Sequence, residues 1–208
     1  MDAKDLMNIE IPEVAPTHGL TMITALQREL LFHYVQIEKF PEPVWDMRLK
    51  NNQIEAKGFI FRVIEELAEA YESWLKEDEH NFWTELADST HFLIELGIVT
   101  GAEMDLEKYN NIWKAVPQKF EILISGLLLE NWFWDITYKL GLVSNAMRNK
   151  QWKQTQVLPD MQEFNALMQD AYTTFFMGFV RIGCSEQWMF DWYYRKNQVN
   201  QFRIKSKY

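Results

Sequence analysis

Proline placement is the sequence feature that most restricts how this chain can fold. All six prolines fall where a helix would start or stop, at positions 12, 16, 41, 43, 117 and 159. Inside a helix, proline removes a backbone N–H donor and clashes with the preceding turn. Between these breaks, apolar residues recur three or four positions apart, which is the spacing of one helix face. The pattern predicts an all-α fold, a helical bundle of about six helices.

The predicted helices follow one another without a repeat, a low-complexity tract or a clear linker. Hydrophobic residues make up 48% of the chain, which is enough apolar material for one core. We therefore predict a single helical domain over 1–208, with an irregular leader at 1–19. Gly97 is assigned as the stop of the third helix. The six helices are expected at about 20–39, 51–76, 82–97, 117–149, 160–181 and 185–202.

Cysteine content, apolar stretches and charge restrict the cellular setting and the partners. The single Cys184 excludes an internal disulfide, and the start of the chain shows no secretory signal. The longest nearly apolar stretch, 122–129, is far shorter than the roughly 20 residues that cross a bilayer. A net charge of -9 disfavours binding to duplex nucleic acid, although the segment 193–208 is basic. We expect a cytoplasmic protein without a membrane or a nucleic-acid duplex as partner.

Two acidic pairs lie on consecutive predicted helices. Glu66 and Glu69 are three residues apart in the second helix, and Glu85 and Asp88 are three apart in the third. Residues at this spacing share a helix face, and both pairs avoid the apolar stripes of their helices. If the two helices fold back as an antiparallel hairpin across the charged loop at 77–81, the pairs face each other.

Four converging carboxylates need a partner that relieves their repulsion. Two unit charges about 4 Å apart repel by about 4 kcal/mol at an effective dielectric near 20. Oxygen ligands without His or Cys favour Mg²⁺, or Mn²⁺, over zinc. A magnesium site of this kind activates water against a phosphorus centre. A single EELAE segment would more often be a solvated helix face, so the prediction depends on the second pair.

A polar stripe near the end of the chain carries groups suited to a nucleotide. Lys196, Asn200 and Arg203 are spaced four and three residues apart, so that one helix face presents an ammonium, an amide and a guanidinium group. Such a set can hold a phosphate chain and contact a base edge. The alternative is a helix that packs on its apolar face and leaves these cations in solvent.

The motifs together resemble a known group of proteins. The arrangement EExxE followed by ExxD resembles the all-α nucleotide pyrophosphohydrolases, the superfamily of MazG proteins and the dimeric dUTPases. The segments SNAMRNKQWK at 144–153 and YYRKNQVNQFR at 193–203 look like dimeric dUTPase and dCTP pyrophosphatase sequences of bacteriophages and bacteria. ELADSTHF at 85–92 is similar to their second metal motif. The resemblance covers about 26–208 and departs at Ile204 and Lys207, so no nucleotide contact is carried over to these two residues.

The resemblance implies a homodimer, in a bacterial or phage-infected cell, that hydrolyses dUTP, and also dUDP, to dUMP. Mg²⁺ is the implied cofactor and Mn²⁺ a substitute. Glu66 would also act as the base that accepts a proton from water, with Glu65 as a competing candidate. The implied metal ligands are Glu66, Glu69, Glu85 and Asp88. The implied nucleotide contacts are Gln27, Asn145, Arg148, Lys153, Lys196, Asn200 and Arg203.

Two alternatives stay open at this point. The Asn200 amide can satisfy either uracil or cytosine by rotating, so the residues alone do not choose between a dUTPase and a pyrophosphohydrolase of dCTP or of a broader set of deoxynucleoside triphosphates. The likeness of the segment 144–153 favours dUTP. A reading from another class is a non-catalytic helical interaction protein whose basic tail binds an acidic partner, but this reading gives no reason for two facing acidic pairs.

Overall fold

The computed structural model describes residues 8–15, 18–38, 44–115 and 125–206. Within these ranges every regular element is a helix and no strand occurs, so the all-α prediction is confirmed. A short 3₁₀ helix at Ile112–Ala115 follows the fourth α-helix. The α-helices are α1 (Gly19–Glu38), α2 (Lys50–Leu75), α3 (Glu79–Thr100), α4 (Leu106–Tyr109), α5 (Gly126–Ala146), α6 (Met161–Arg181) and α7 (Glu186–Ser206).

Helices α2 and α3 form the antiparallel hairpin that the sequence predicted. The turn between them is short because Glu77 adopts a left-handed φ of 58° and Asp78 caps α3 by accepting a hydrogen bond from the Asn81 backbone N–H at 3.0 Å. The ring centroids of Phe59, two turns before Glu66, and Phe92, one turn after Asp88, lie 6.5 Å apart. The hairpin therefore sets the acidic residues of both helices side by side.

Helices α5 and α6 form a second pair, which is held by aromatic packing. The buried Trp132 ring lies 5.1 Å from the Phe179 ring and 6.0 Å from the Phe175 ring. A Cβ atom at Gly178 would lie 1.8 Å from the Trp132 ring, so only glycine permits this approach. The predicted fourth helix appears here as α5. Its predicted first residues fall in 116–124, outside the described residues.

The prediction that Gly97 ends the third helix is wrong. Helix α3 continues to Thr100, and Gly101, with a φ of 71°, forms its left-handed C-cap. Gly97 serves packing instead, because a Cβ atom there would lie 1.8 Å from the Tyr172 hydroxyl oxygen. That hydroxyl donates to the Ala102 carbonyl oxygen at 3.2 Å and ties α6 to the end of α3.

Helix α7 packs against α1 and α3 and brings the end of the described chain to the hairpin. The described residues of the leader, 8–15 and 18, form no helix, and the segment is anchored on α7. The Val14 N–H donates to Gln187 Oε1 at 2.8 Å, and the Gly19 N–H donates to Glu186 Oε1 at 2.6 Å. Among the described residues, no helix combines the length and the apolar character needed to cross a membrane.

Candidate active site

Three carboxylates from the α2–α3 hairpin converge on one point. Glu66 from α2 and Glu85 and Asp88 from α3 each offer an oxygen, and these atoms lie within 4.8 Å of one another. All three side chains are half-buried. Glu69, the fourth predicted ligand, is exposed and lies outside this group, although its charge raises the pKa of both Glu66 and Glu85. The sequence thus predicted the cluster, and the structure brings three of its four acids together.

Burial and mutual repulsion disfavour full ionisation of this cluster. Burial raises the pKa of Glu66 to about 8, and the negative charges of Asp88 and Glu85 add to the rise. Burial, followed by the charge of Asp88, also raises the pKa of Glu85. The cluster on its own therefore retains a proton at neutral pH. Cations placed among these oxygens would return them to the charged form.

One built-in cation already lies at the cluster. Lys196 from α7 places its Nζ 2.5 Å from Asp88 Oδ2, and both side chains are largely buried. Burial raises the pKa of Asp88, while the charge and hydrogen bond of Lys196 oppose that rise. Arg203 lies two turns after Lys196 on the same face of α7, and its charge also lowers the pKa of Asp88. The predicted cationic stripe and the predicted acidic pairs therefore belong to one site.

A cavity of about 880 Å³ opens beside the cluster, between the hairpin and helices α1 and α7. This volume is in the range of pockets that hold small organic ligands. Aromatic rings on its wall include Tyr34, Trp45, Phe59 and Phe92. The predicted site residues that line it are Gln27, Glu66, Asp88, Lys196, Asn200 and Arg203.

The end of the cavity away from the carboxylates carries a buried polar network. The Tyr193 hydroxyl donates to Gln27 Oε1 at 2.7 Å, and Gln27 Nε2 donates to Glu95 Oε2 at 3.3 Å. The His91 ring stacks on the Tyr193 ring at 4.1 Å. Its Nδ1 donates to the Ala87 carbonyl oxygen at 2.9 Å, and burial lowers the pKa of His91 to about 3, so the ring is neutral.

Glu95 is the site residue that sequence reasoning missed. A signal was present, because Glu95 follows Asp88 by seven residues, or two helical turns, and so shares its face of α3. His91 and Phe92, between them, line the same cavity. Glu65, the competitor of Glu66 as base, instead pairs with Arg62 at 3.0 Å, and it is not among the residues that line the cavity.

The segment 144–153 does not reach the cavity within one chain. Asn145 is exposed at the end of α5, and the Arg148 guanidinium pairs with Glu163 at 3.1 Å. Lys153 is exposed in the loop that follows. Asn149 anchors this loop to α2, because its backbone N–H donates to Gln53 Oε1 at 3.1 Å. Nucleotide binding by Asn145, Arg148 and Lys153 therefore stays a prediction.

The fold and the site together define a class, that of the all-α nucleotide hydrolases, with an acidic cluster at one end of a cavity and a polar network at the other. The family model described as dUTPase matches residues 45–208. The chain belongs to this family, the all-α dimeric dUTPases, and its function is the hydrolysis of dUTP. None of the curated proteins and none of the solved structures gives a match.

The family match covers almost all of the site. The matched range includes the three clustered acids, Glu95 and the whole of α7, whereas Gln27 lies outside it. The reading of the chain as a non-catalytic interaction protein gives no account of this match. The predicted resemblance to dimeric dUTPases is confirmed.

Proposed function

We propose that this dUTPase releases dUMP and pyrophosphate from dUTP with the help of Mg²⁺ held by Glu66, Glu85 and Asp88. The observation that carries the proposal is the convergence of three carboxylates within 4.8 Å at the edge of a cavity of about 880 Å³. Glu69 is proposed as a fourth ligand, since it is already close enough to raise the pKa of Glu66. dUDP is proposed as a second substrate.

The donor set fits a hard divalent cation. All the converging atoms are carboxylate oxygens, the ligands that Mg²⁺ and Mn²⁺ prefer, whereas zinc sites usually include nitrogen or sulfur ligands. The raised pKa of Glu66 supports the same conclusion, because a cluster that repels itself gains most from a cation. When bound, the cation would supply Lewis acidity, lowering the pKa of water and neutralising phosphate oxygens.

Glu66 is proposed as the group that accepts the proton of the attacking water. It lines the cavity, whereas the neighbouring Glu65 is engaged with Arg62. A base in contact with the reacting water must lie within hydrogen-bond reach of it, and only Glu66 of the two faces the cavity. The carboxylate orients the water and takes its proton as the bond to phosphorus forms and the pyrophosphate leaves.

The cations of α7 are proposed to hold the phosphate chain. Lys196 lies at the boundary between the acidic cluster and the cavity, and Arg203 lines the cavity from the same helix. As negative charge moves onto the leaving pyrophosphate, both groups stabilise it without having to reorganise. Asn200, between them, is proposed to contact the nucleotide through its amide.

A homodimer is proposed, in keeping with the dimeric type of the family. Helix α5 offers an exposed apolar face for the second copy, on which Leu127, Trp134 and Tyr138 are 69%, 71% and 53% exposed. Asn145 lies at the end of the same helix. A cytoplasmic setting in a bacterial or phage-infected cell remains a prediction.

The test is a panel of dUTP, dUDP, dCTP and the other nucleoside triphosphates, scored by release of pyrophosphate, or of phosphate from dUDP, with Mg²⁺, with Mn²⁺ and with EDTA. We expect turnover of dUTP that EDTA abolishes. Preference for dCTP would overturn the base assignment. Turnover of dUTP that persists in EDTA would overturn the role of the cation. Absence of turnover with every compound would overturn the assignment of a hydrolase activity to this chain.

A further inference from the structure

One stripe of α3 lines the cavity over two helical turns. Asp88, His91, Phe92 and Glu95 occupy positions i, i+3, i+4 and i+7 and all line it. At 1.5 Å of rise per residue, Asp88 and Glu95 are separated by roughly 10 Å along the helix axis. That separation suits a nucleotide whose phosphates lie at Asp88 and whose base lies at Glu95.

The amide of Gln27 is fixed in one orientation at the Glu95 end. Its oxygen accepts from the Tyr193 hydroxyl at 2.7 Å, and its nitrogen donates to Glu95 at 3.3 Å. With Glu95 ionised, turning the amide would set its oxygen against the carboxylate, two acceptors without a proton between them. Gln27 is 1% exposed, and it lines the cavity. One N–H of Gln27 is left for a ligand.

Glu95 itself has no cationic partner in the described part of the chain. The seven ion pairs found there do not include it. His91, on the same face, is neutral because burial lowers its pKa to about 3. Burial likewise raises the pKa of Glu95 to about 7. A half-buried carboxylate at a cavity wall, whose one hydrogen-bond partner among the described residues is an amide, has capacity for a ligand donor.

We propose that Glu95 is the specificity-determining residue for the base, accepting the N3–H of uracil while Gln27 donates its remaining N–H to the adjacent carbonyl. The inference rests on the proposed function. The Gln27 donor and the Glu95 acceptor lie side by side, and uracil presents a carbonyl acceptor beside an imino donor. The donor and acceptor of the protein therefore match the acceptor and donor of uracil.

Cytosine presents the opposite pattern to the same two groups. Its amino group would meet the Gln27 donor, and its N3 lone pair would meet the Glu95 carboxylate. Both contacts are mismatched while Glu95 is ionised, and the hydrogen bonds to Tyr193 and Glu95 favour the present orientation of Gln27. A site built to pair a ligand N–H strongly rejects an analogue that lacks it. Glu95 thus selects uracil by repelling cytosine as well as by binding uracil.

The experiment compares kcat/KM for dUTP and dCTP in the wild type, in Glu95→Gln and in Glu29→Gln. Glu29 is exposed on α1, so its substitution makes the same change in net charge away from the cavity. We expect Glu95→Gln to lower kcat/KM for dUTP about 10-fold, because a charged acceptor is replaced by a neutral amide that can also turn its N–H toward the base. The dUTP-to-dCTP ratio should shrink by a similar factor, and Glu29→Gln should keep the wild-type ratio.

A second measurement uses wild-type protein and the N3-methyl derivative of dUTP, which has no imino proton. Its kcat/KM should lie at least about tenfold below that of dUTP. A folded Glu95→Gln variant with the wild-type ratio would overturn the inference. An N3-methyl penalty below about threefold would overturn it too, even if that variant failed to fold. Wild-type protein inactive on every triphosphate would instead overturn the proposed function, which separates the two failures.

Discussion

The two helix pairs of this molecule, α2–α3 and α5–α6, have different interiors. Between α5 and α6 the contact is aromatic, with Trp132 against Phe175 and Phe179 over the bare backbone of Gly178. Between α2 and α3, the antiparallel packing brings three carboxylates together, and burial raises the pKa of each of them. The aromatic contact stabilises the fold, whereas the clustering of half-buried carboxylates costs stability at a site that attracts cations. Substitutions on the two pairs should therefore have opposite effects.

The largest expected effect on stability is in the aromatic pair. Trp132→Ala removes a ring that is 2% exposed and should lower the free energy of unfolding by about 3–5 kcal/mol. Thermal and urea unfolding measure the loss. Trp152→Ala, where the ring is 79% exposed, is the matched control and should change stability by less than about 0.5 kcal/mol. Equal losses in the two variants would contradict the burial of Trp132 in the core.

A smaller effect of opposite sign is expected in the acidic pair. Glu66→Gln removes one of the repelling carboxylates and should raise the unfolding free energy of the metal-free protein by about 1–2 kcal/mol at pH 8. The same variant should lose most of its dUTP turnover. Unfolding in EDTA, followed by an activity assay with Mg²⁺, checks both. A variant that is less stable and still active would show that Glu66 is a structural residue.

A further expected effect in the acidic pair is the response of Mg²⁺ binding to pH. The pKa of Glu66 is raised to about 8, so this group is protonated in the metal-free cluster at pH 6–7. Mg²⁺ needs the ionised form, so its affinity should rise by up to about tenfold per pH unit from pH 6 to pH 8. Calorimetry in buffers of different ionisation enthalpy should detect the released proton. Affinity that is independent of pH over this range would place the cation elsewhere.

The acidic cluster could be predicted from the sequence because its information is local. Each of the two helices carries two acids three residues apart, and the loop that joins the helices is short. Few packings of such helices keep the two pairs apart. Glu69 shows where this reasoning stops. Spacing places a residue on a face, but the rotation of α2 in the hairpin decides whether that residue points inward. Glu66 lines the cavity and Glu69 is exposed, although both belong to one motif.

Other features depend on contacts between distant segments and could not be read from the sequence. Gly97 looks like a helix stop by composition, but it is glycine because the Tyr172 hydroxyl from α6 needs its space. Glu95 acquires its role only when α1 and α7 bring Gln27 and Tyr193 beside it. The likeness of 144–153 to nucleotide-binding segments gives no position for Arg148, which in one chain pairs with Glu163.

The most direct test of the account is the Mg²⁺-dependent turnover of dUTP by Asp88→Asn. This substitution keeps the size of the side chain but removes the charge at the centre of the cluster, where Lys196 also binds. Asp135→Asn, exposed on α5, is the matched control and should turn over dUTP like the wild type. We predict that Asp88→Asn unfolds cooperatively like a folded protein and releases pyrophosphate at least about a thousandfold more slowly, a loss of about 4 kcal/mol. Wild-type turnover by Asp88→Asn would contradict the account.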